Sequence, residues 1–406
     1  MTTTTTTGRL ALRITGGHPL HGSTTIQGSK NIALHLYAAT ILADQPLTLT
    51  GSPAILDTGV CAEILHRTGT RATITGDEFE TRPADSYFPV IPDDLGRRIR
   101  TTAVMAAALL TRTGKVALPL PGGDAFCARY IDLHLAAMEA PGAKVRVDRA
   151  RVRARFTGAK RRPFITTASS RKWGPSLGAT VTAVLLAART PGTSSILSPS
   201  IEPEVTATAD LLARSGVGVI WQGTEALNVT GTDHITGGTF PPSGFPAGLV
   251  SVFADAGILL TAERGGTTVA APDGLRAVET ATGPHPGYPT DVQPQLTAAL
   301  TQAAGTSRID DRVYTRRDSH LGALRKFGAV VNAEGSVITV EGPSRLVAAE
   351  VAGEDIRAVT TLVLAALTAE GTSTIRGIYH LQRGYGDLLP KLASLGAELT
   401  INQEAP

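Results

Sequence analysis

The sequence has little of what would mark a secreted, fibrous, membrane-spanning or metal-bound protein. Among 406 residues only Cys61 and Cys127 are cysteines. Two cannot build a disulfide framework or a cysteine-based metal site, and such sparse usage fits a reducing compartment. An excess of one charge is missing as well: 38 basic against 35 acidic residues leave a net +3, which gives no electrostatic case for nucleic acid. The basic clusters at Arg146–Arg155 and Lys160–Arg162 are of the alternating or loop-borne kind that usually forms a solvated face. Long apolar runs are absent too. The longest, such as Ala103–Leu110 and Ala183–Ala188, fall far short of the ~20 residues that span a bilayer. Met1 and the six threonines after it carry neither the basic region nor the apolar core of a signal peptide. A tail over 1–7 and a soluble, cytoplasmic monomer without membrane or nucleic-acid partners are expected. No His/Asp/Glu cluster has metal-ligand spacing, so no metal and no cofactor is expected.

What is present is globular. Hydrophobic residues make up 42% and charged residues 18%, and the length suggests two or three domains. A repeat organises them. A small-residue turn follows an amphipathic helix and precedes a strand at Gly69, Gly142, Gly216, Gly328 and Gly396. A second marker, an Ala/Leu-rich helix stopped by glycine before a β-branched strand, falls at Gly114, Gly192, Gly266, Gly305 and Gly371. Helix, glycine stop, strand, helix, glycine stop, strand is a coherent unit, and six such units predict an α/β fold of repeated modules. The interval from Gly216 to Gly328 exceeds any other but is too short for two units. The deficit is placed after Gly266–Thr267, so the fourth unit is expected to have lost its second helix and the strands after it.

Polar islands interrupt this scaffold: Gly28-Ser29-Lys30-Asn31, Arg100, the run from Gly122 to Arg129, Tyr288-Pro289-Thr290-Asp291, Arg316-Arg317, Asp355-Ile356-Arg357 and Gln382-Arg383-Gly384-Tyr385. A single arginine at a helix end more often serves the helix dipole than a ligand. As a set, Lys30, Arg100, Arg129, Arg317, Arg357 and Arg383 stand at loop-like ends of repeat units, where a site on a rigid scaffold belongs. Several such cations suit a small polyanion bearing carboxylate and phosphate. Asp124 and Asp291, in separate Gly/Pro-rich turns, are candidates for an acid and a base.

These islands resemble the enolpyruvyl transferases, and among them the UDP-N-acetylglucosamine 1-carboxyvinyltransferases. The resemblance rests on GSKN at 28–31, PGGDAFCARYIDLH at 121–134, SLGATVTAVLLAA at 176–188, EPEV at 202–205, HPGYPTDVQPQ at 285–295, EDIRA at 354–358 and YHLQRGY at 379–385. It implies an inside-out α/β barrel of two domains with three repeats each, near 30–243 and 8–29 plus 244–406, with the active site in the cleft between them. It also implies the roles. Lys30, Arg129 and Arg383 would hold phosphoenolpyruvate, and Arg317 and Arg357 would add charge around it. Asn31, Arg100, Tyr130, Ile131, Asp132, Leu133, Ser176, Leu177, Gly178, Val313 and Asp355 would line the site of a uridine-nucleotide acceptor. Asp291 would take the proton of the attacking hydroxyl. Asp124 stands where most relatives carry a loop cysteine; as a proton donor it must be kept neutral against nearby arginines.

The departures from the family pattern gather on the acceptor side. Lys172-Trp173-Gly174-Pro175 displaces a diphosphate-side lysine, Ile201 replaces an arginine, Tyr130 replaces a proline, and 241–246 has lost its charges. The resemblance as a whole still implies UDP-N-acetylglucosamine as acceptor, while these departures point to uridine monophosphate, modified at its 3′-hydroxyl in peptidyl-nucleoside antibiotic synthesis, as the alternative. A non-catalytic nucleotide-binding homologue is the third reading. Filled acid, base and arginine positions speak against it.

Overall fold

The computed structural model describes residues 9–122, 130–158, 161–170, 174–240, 247–263 and 266–404. The tail 1–7, Asp124, Arg129, Lys172, Trp173 and the segment 241–246 lie outside these residues. The described chain divides into two compact units: an N-terminal unit of 27–122 with 130–240, and a C-terminal unit of 9–26 with 247–404. No helix among the described residues is long and apolar enough to cross a membrane.

The fold is mixed α/β, with helices as its interior. Thr102–Thr113 is buried from Thr102 to Thr111, and Leu177–Ala187 from Ala179 to Ala187. A helix apolar on every side has to be a core helix. Lys30–Thr40 joins them through Ile32, Leu36 and Tyr37. In the C-terminal unit Ile356–Thr368 packs on Gln293–Leu300. Strands such as Glu78–Arg82 bury alternate residues only, so the sheets lie outside the helices with one face solvated.

One strand order recurs in four sheets: a parallel pair, then two antiparallel strands. It occurs in 238–240/47–49/78–82/71–75 and in 165–167/192–197/226–231/218–222. It occurs again in 279–281/305–310/337–342/330–334 and in 350–352/371–376/9–16/398–404. A fifth sheet, 115–119/151–156/143–147, has a parallel bridge from Val90 to Ala117 in place of the first strand. Three third strands end on a glycine, Gly16, Gly231 or Gly342. A methyl group there would stand 2.0, 2.1 or 2.6 Å from the carbonyl oxygen of Ala366, Thr190 or Ala303 respectively. Only hydrogen allows the strand to approach the helix end so closely. Strand Arg9–Gly16 enters its sheet between Gly371–Arg376 and Glu398–Glu404, burying Leu12 and Ile14 completely.

The sequence markers correspond to backbone geometry. Gly69, Gly142, Gly216, Gly328 and Gly396 all have left-handed φ between 93° and 113°, the conformation that ends a helix and turns the chain into a strand. The fourth unit departs from expectation. Gly266 is not a helix stop: it opens the second strand of the hairpin Leu259–Glu263/Gly266–Ala270. The turn is made by Gly257, at φ 83°, directly after helix Ala247–Asp255. Helix and hairpin are thus kept, and the segment that other units place before them is the one missing among the described residues. The expectation of a lost second helix is corrected accordingly.

Asp44 ties the helix ends of the N-terminal unit together. Its carboxylate accepts from Arg112 at 2.6 Å, from Arg189 and from the Ile235 amide at 2.9 Å. Burial alone would raise its pKa; the amide and the two arginines outweigh burial and bring it from 3.8 to about 2. A depressed carboxyl stabilises the fold above its unfolded value and ceases to do so as pH falls through its folded value. Between pH 4 and 2 the parent is expected to lose up to roughly 2 kcal/mol from this group, a ceiling that solvent screening lowers. Asp44→Asn should lack that part of the acid dependence in urea melts. An unchanged pH profile in the variant would refute the assignment.

Candidate active site

In the C-terminal unit the site is built on a carboxylate between two guanidinium groups. Asp291 lies in a short 3₁₀ turn, Thr290–Val292, which Pro289 starts and helix Gln293–Leu300 follows. One carboxylate oxygen accepts from Arg317 Nη1 at 2.9 Å and the other from Arg357 Nη2 at 2.5 Å. Arg317 is nearly buried, whereas the Asp291 side chain is 34% exposed, so an incoming ligand can reach it. Burial would raise the Asp291 carboxyl, but Arg357 and then Arg317 hold it far below the usual carboxylate range.

Each arginine is fixed from behind. Arg317 Nη1 also donates to the carbonyl and hydroxyl oxygens of Thr290, and its guanidinium lies 4.7 Å from the Tyr314 ring centre. Arg357 Nη1 donates to the Tyr385 hydroxyl at 2.8 Å. Arg357 is in the first turn of Ile356–Thr368, whose N-cap is Asp355. That carboxylate accepts from the amides of Arg357 and Ala358 and from the Ser319 hydroxyl, so its visible work is to hold the helix start. Arg383 is buried on the short helix Tyr379–Gly384, two residues before Tyr385. Val313 offers its amide to Asp311.

The N-terminal unit gathers a second set. Lys30 opens helix Lys30–Thr40, capped by Ser29, and its ammonium lies 2.7 Å from Asp57, with side-chain exposures of 14% and 5%. The Asn31 carbonyl is 2.7 Å from His35 Nδ1. Arg100 donates to the carbonyl of exposed Tyr130 at 2.6 Å. Ile131, Asp132 and Leu133 then begin helix Asp132–Glu139. Ser176 caps Leu177–Ala187 through the Ala179 amide. At Gly178 an added methyl would lie 2.7 Å from the His134 ring.

His134 was not singled out by the sequence, yet it joins these pieces. Its Nδ1 is 2.7 Å from the Thr182 hydroxyl. Burial, then the charges of Arg100 and His35, push its pKa down to about 3, so the ring stays neutral. Arg100, 130–133 and 176–178 are therefore neighbours through Arg100–Tyr130 and His134–Gly178, and the helix that carries Lys30 and Asn31 comes near them where His35 acts on His134. Helix N-termini and paired cations together make this a place for an anion. The sequence signal for His134 is its place as the last residue of PGGDAFCARYIDLH at 121–134. Asp124 and Arg129 are outside the described residues.

The family model "EPSP synthase (3-phosphoshikimate 1-carboxyvinyltransferase)" matches residues 14–241 and 241–392, and the chain belongs to that family of 1-carboxyvinyltransferases. Members use phosphoenolpyruvate and a hydroxyl acceptor, and the chain is an enzyme of this enolpyruvyl-transferring class. It is 35% identical to the UDP-N-acetylglucosamine 1-carboxyvinyltransferase of Prosthecochloris aestuarii, over 96% of this chain and 97% of that one. The corresponding protein of Chlorobium limicola is 34% identical, over 96% and 97%. Among solved structures, the enolpyruvyl transferase NikO from Streptomyces tendae superposes with a TM-score of 0.87 at 23% identity, covering 98% of this chain and 100% of that one. EPSP synthase from Acinetobacter baumannii gives 0.75 at 14%, covering 97% and 100%. Both likenesses are of fold.

Proposed function

We propose that the chain transfers the enolpyruvyl group of phosphoenolpyruvate to the 3-hydroxyl of UDP-N-acetylglucosamine, releasing phosphate, in peptidoglycan precursor synthesis. The observation that carries this is the 35% identity to a UDP-N-acetylglucosamine 1-carboxyvinyltransferase over nearly both full lengths. The acceptor hydroxyl adds at C2 of phosphoenolpyruvate and gives its proton to Asp291, while C3 receives a proton from Asp124. The tetrahedral ketal then returns a C3 proton to Asp124 and loses phosphate, which leaves with the proton held by Asp291, restoring the enol ether. Lys30, Arg129 and Arg383 hold the donor, and Arg317 and Arg357 meet its anionic groups. Asp291 is a poor base while two arginines neutralise it. Anions of the donor compete for those arginines and so raise its proton affinity when substrate is bound.

Asn31, Arg100, Tyr130–Leu133, Ser176–Gly178, Val313 and Asp355 serve the acceptor side in this proposal. The recurrent strand order supports three modules in each unit, the fourth shortened, as in an inside-out α/β barrel. Domains of 30–243 and of 8–29 with 244–406 are proposed on the same ground. Uridine monophosphate is the second reading, favoured by Tyr130, Ile201 and the altered 172–175 run, since a smaller acceptor needs fewer diphosphate contacts.

Phosphate release from phosphoenolpyruvate with each nucleotide separates the two. The expected result is turnover with UDP-N-acetylglucosamine. Turnover with uridine monophosphate alone would replace the first reading by the second, and release with neither would reject both.

A further inference from the structure

One buried carboxylate in the C-terminal unit has no part in the scheme above. Asp311 follows strand Gly305–Asp310 and is 2% exposed. Its Oδ1 accepts from the Thr282 hydroxyl at 2.7 Å, the Val313 amide at 3.1 Å and the Tyr314 amide at 2.9 Å. The Thr290 hydroxyl reaches Oδ2 at 2.8 Å and Oδ1 at 3.1 Å. Four donors are about the capacity of one carboxylate. The two turns held this way are the one carrying Asp291 and the one carrying Val313 with the Tyr314 ring that backs Arg317.

Proton inventory fixes the polarity of this link. A hydroxyl has one proton to donate, and Thr290 gives it to Asp311. Its lone pair then faces Arg317 Nη1 at 3.2 Å, and that nitrogen shares its two protons among this oxygen, the Thr290 carbonyl and Asp291. The order runs from carboxylate to hydroxyl to guanidinium to the carboxylate proposed as base.

We propose that Asp311 is a positioning residue which, through Thr290, aligns Arg317 on Asp291 and, through the 313–314 amides, sets the acceptor-side turn. The alignment part rests on Asp291 being the base. Asp311→Asn keeps the shape but can turn an NH₂ group toward Thr290. That reverses the hydroxyl, whose proton would then point at Arg317. Thr290→Val removes the hydroxyl from the link, while the Thr290 carbonyl still accepts from Arg317 Nη1, and it leaves the 313–314 turn in place.

Steady-state kinetics per folded active site, with melting temperatures, test this. Misplacement of a reacting group by about 1 Å costs up to ~10²-fold. Thr290→Val and Asp311→Asn are each expected to lower kcat at least ~10-fold, with acceptor KM within about twofold of the parent. The double variant should be no worse than Asp311→Asn, because both break one link. Asp311→Ala should raise acceptor KM as well. Wild-type kcat in both single variants, additive losses, or losses that only track the folded fraction would each overturn the proposal. Should Asp291→Ala retain turnover, the base reading fails, and the acceptor KM of Asp311→Ala still decides the second part. If Asp291→Ala is dead while Thr290→Val and Asp311→Asn match the parent, the positioning proposal fails alone.

Discussion

Asp291→Ala is expected to lower kcat by ~10²–10⁴-fold, the usual contribution of a positioned general base, while the donor still binds. The expectation follows from the two ion pairs at 2.9 and 2.5 Å. In the parent, Arg317 and Arg357 are shared between Asp291 and any anion that arrives. Removing the carboxylate leaves two guanidinium groups with more charge to offer, so phosphoenolpyruvate should bind at least as tightly as before. Calorimetric titration of the variant and a phosphate-release assay read the two quantities separately. Asp291→Asn should behave alike in kcat, since an amide takes no proton at neutral pH. Turnover within about tenfold of the parent would remove Asp291 from the role, and loss of donor binding would show that it holds the arginines in place instead.

The second large effect is expected at Lys30. Lys30→Met should raise the KM for phosphoenolpyruvate by ~10²-fold or more, as loss of a charge-assisted contact to a phosphate implies. It should also lower stability, because Asp57 is 5% exposed and loses the ammonium 2.7 Å away. Breaking a buried pair from one side costs up to ~3–5 kcal/mol. The two effects can be separated. Asp57→Asn added to Lys30→Met should recover most of the melting temperature and none of the donor affinity. Recovery of both would mean that Lys30 acts only by neutralising Asp57, and unchanged donor KM in the single variant would free Lys30 of the role altogether.

The sequence made those parts legible where one residue type answers one geometric demand. Five helix-ending glycines could be picked out because a left-handed turn needs glycine, and all five have the required φ. The flanks of Gly257 do not set it apart, since Ala256-Gly257-Ile258 is as apolar as Leu395-Gly396-Ala397, and Gly266–Thr267 reads as a helix stop although a hairpin strand also begins well on Gly-Thr. In the site, Asp291, Arg317 and Arg357 stood out as polar islands, but only coordinates show that they touch. Asp311 and His134 were not distinguishable beforehand. An aspartate after a strand is a common turn residue, and a lone histidine on a helix gives no sign of what its ring will pack against. Asp355 resembled a ligand contact, and its N-cap bonds become visible only when the helix start is known.

Strand Arg9–Gly16 separates the order of synthesis from the order of assembly. It leaves the ribosome before any other described strand, yet both its neighbours, Gly371–Arg376 and Glu398–Glu404, are nearly the last. The N-terminal unit is complete long before those partners exist and can collapse around its own helices while translation continues. Until then the first strand lacks the sheet partners beside which Leu12 and Ile14 are buried in the finished fold. Its sheet cannot be complete before both of those late strands have been made.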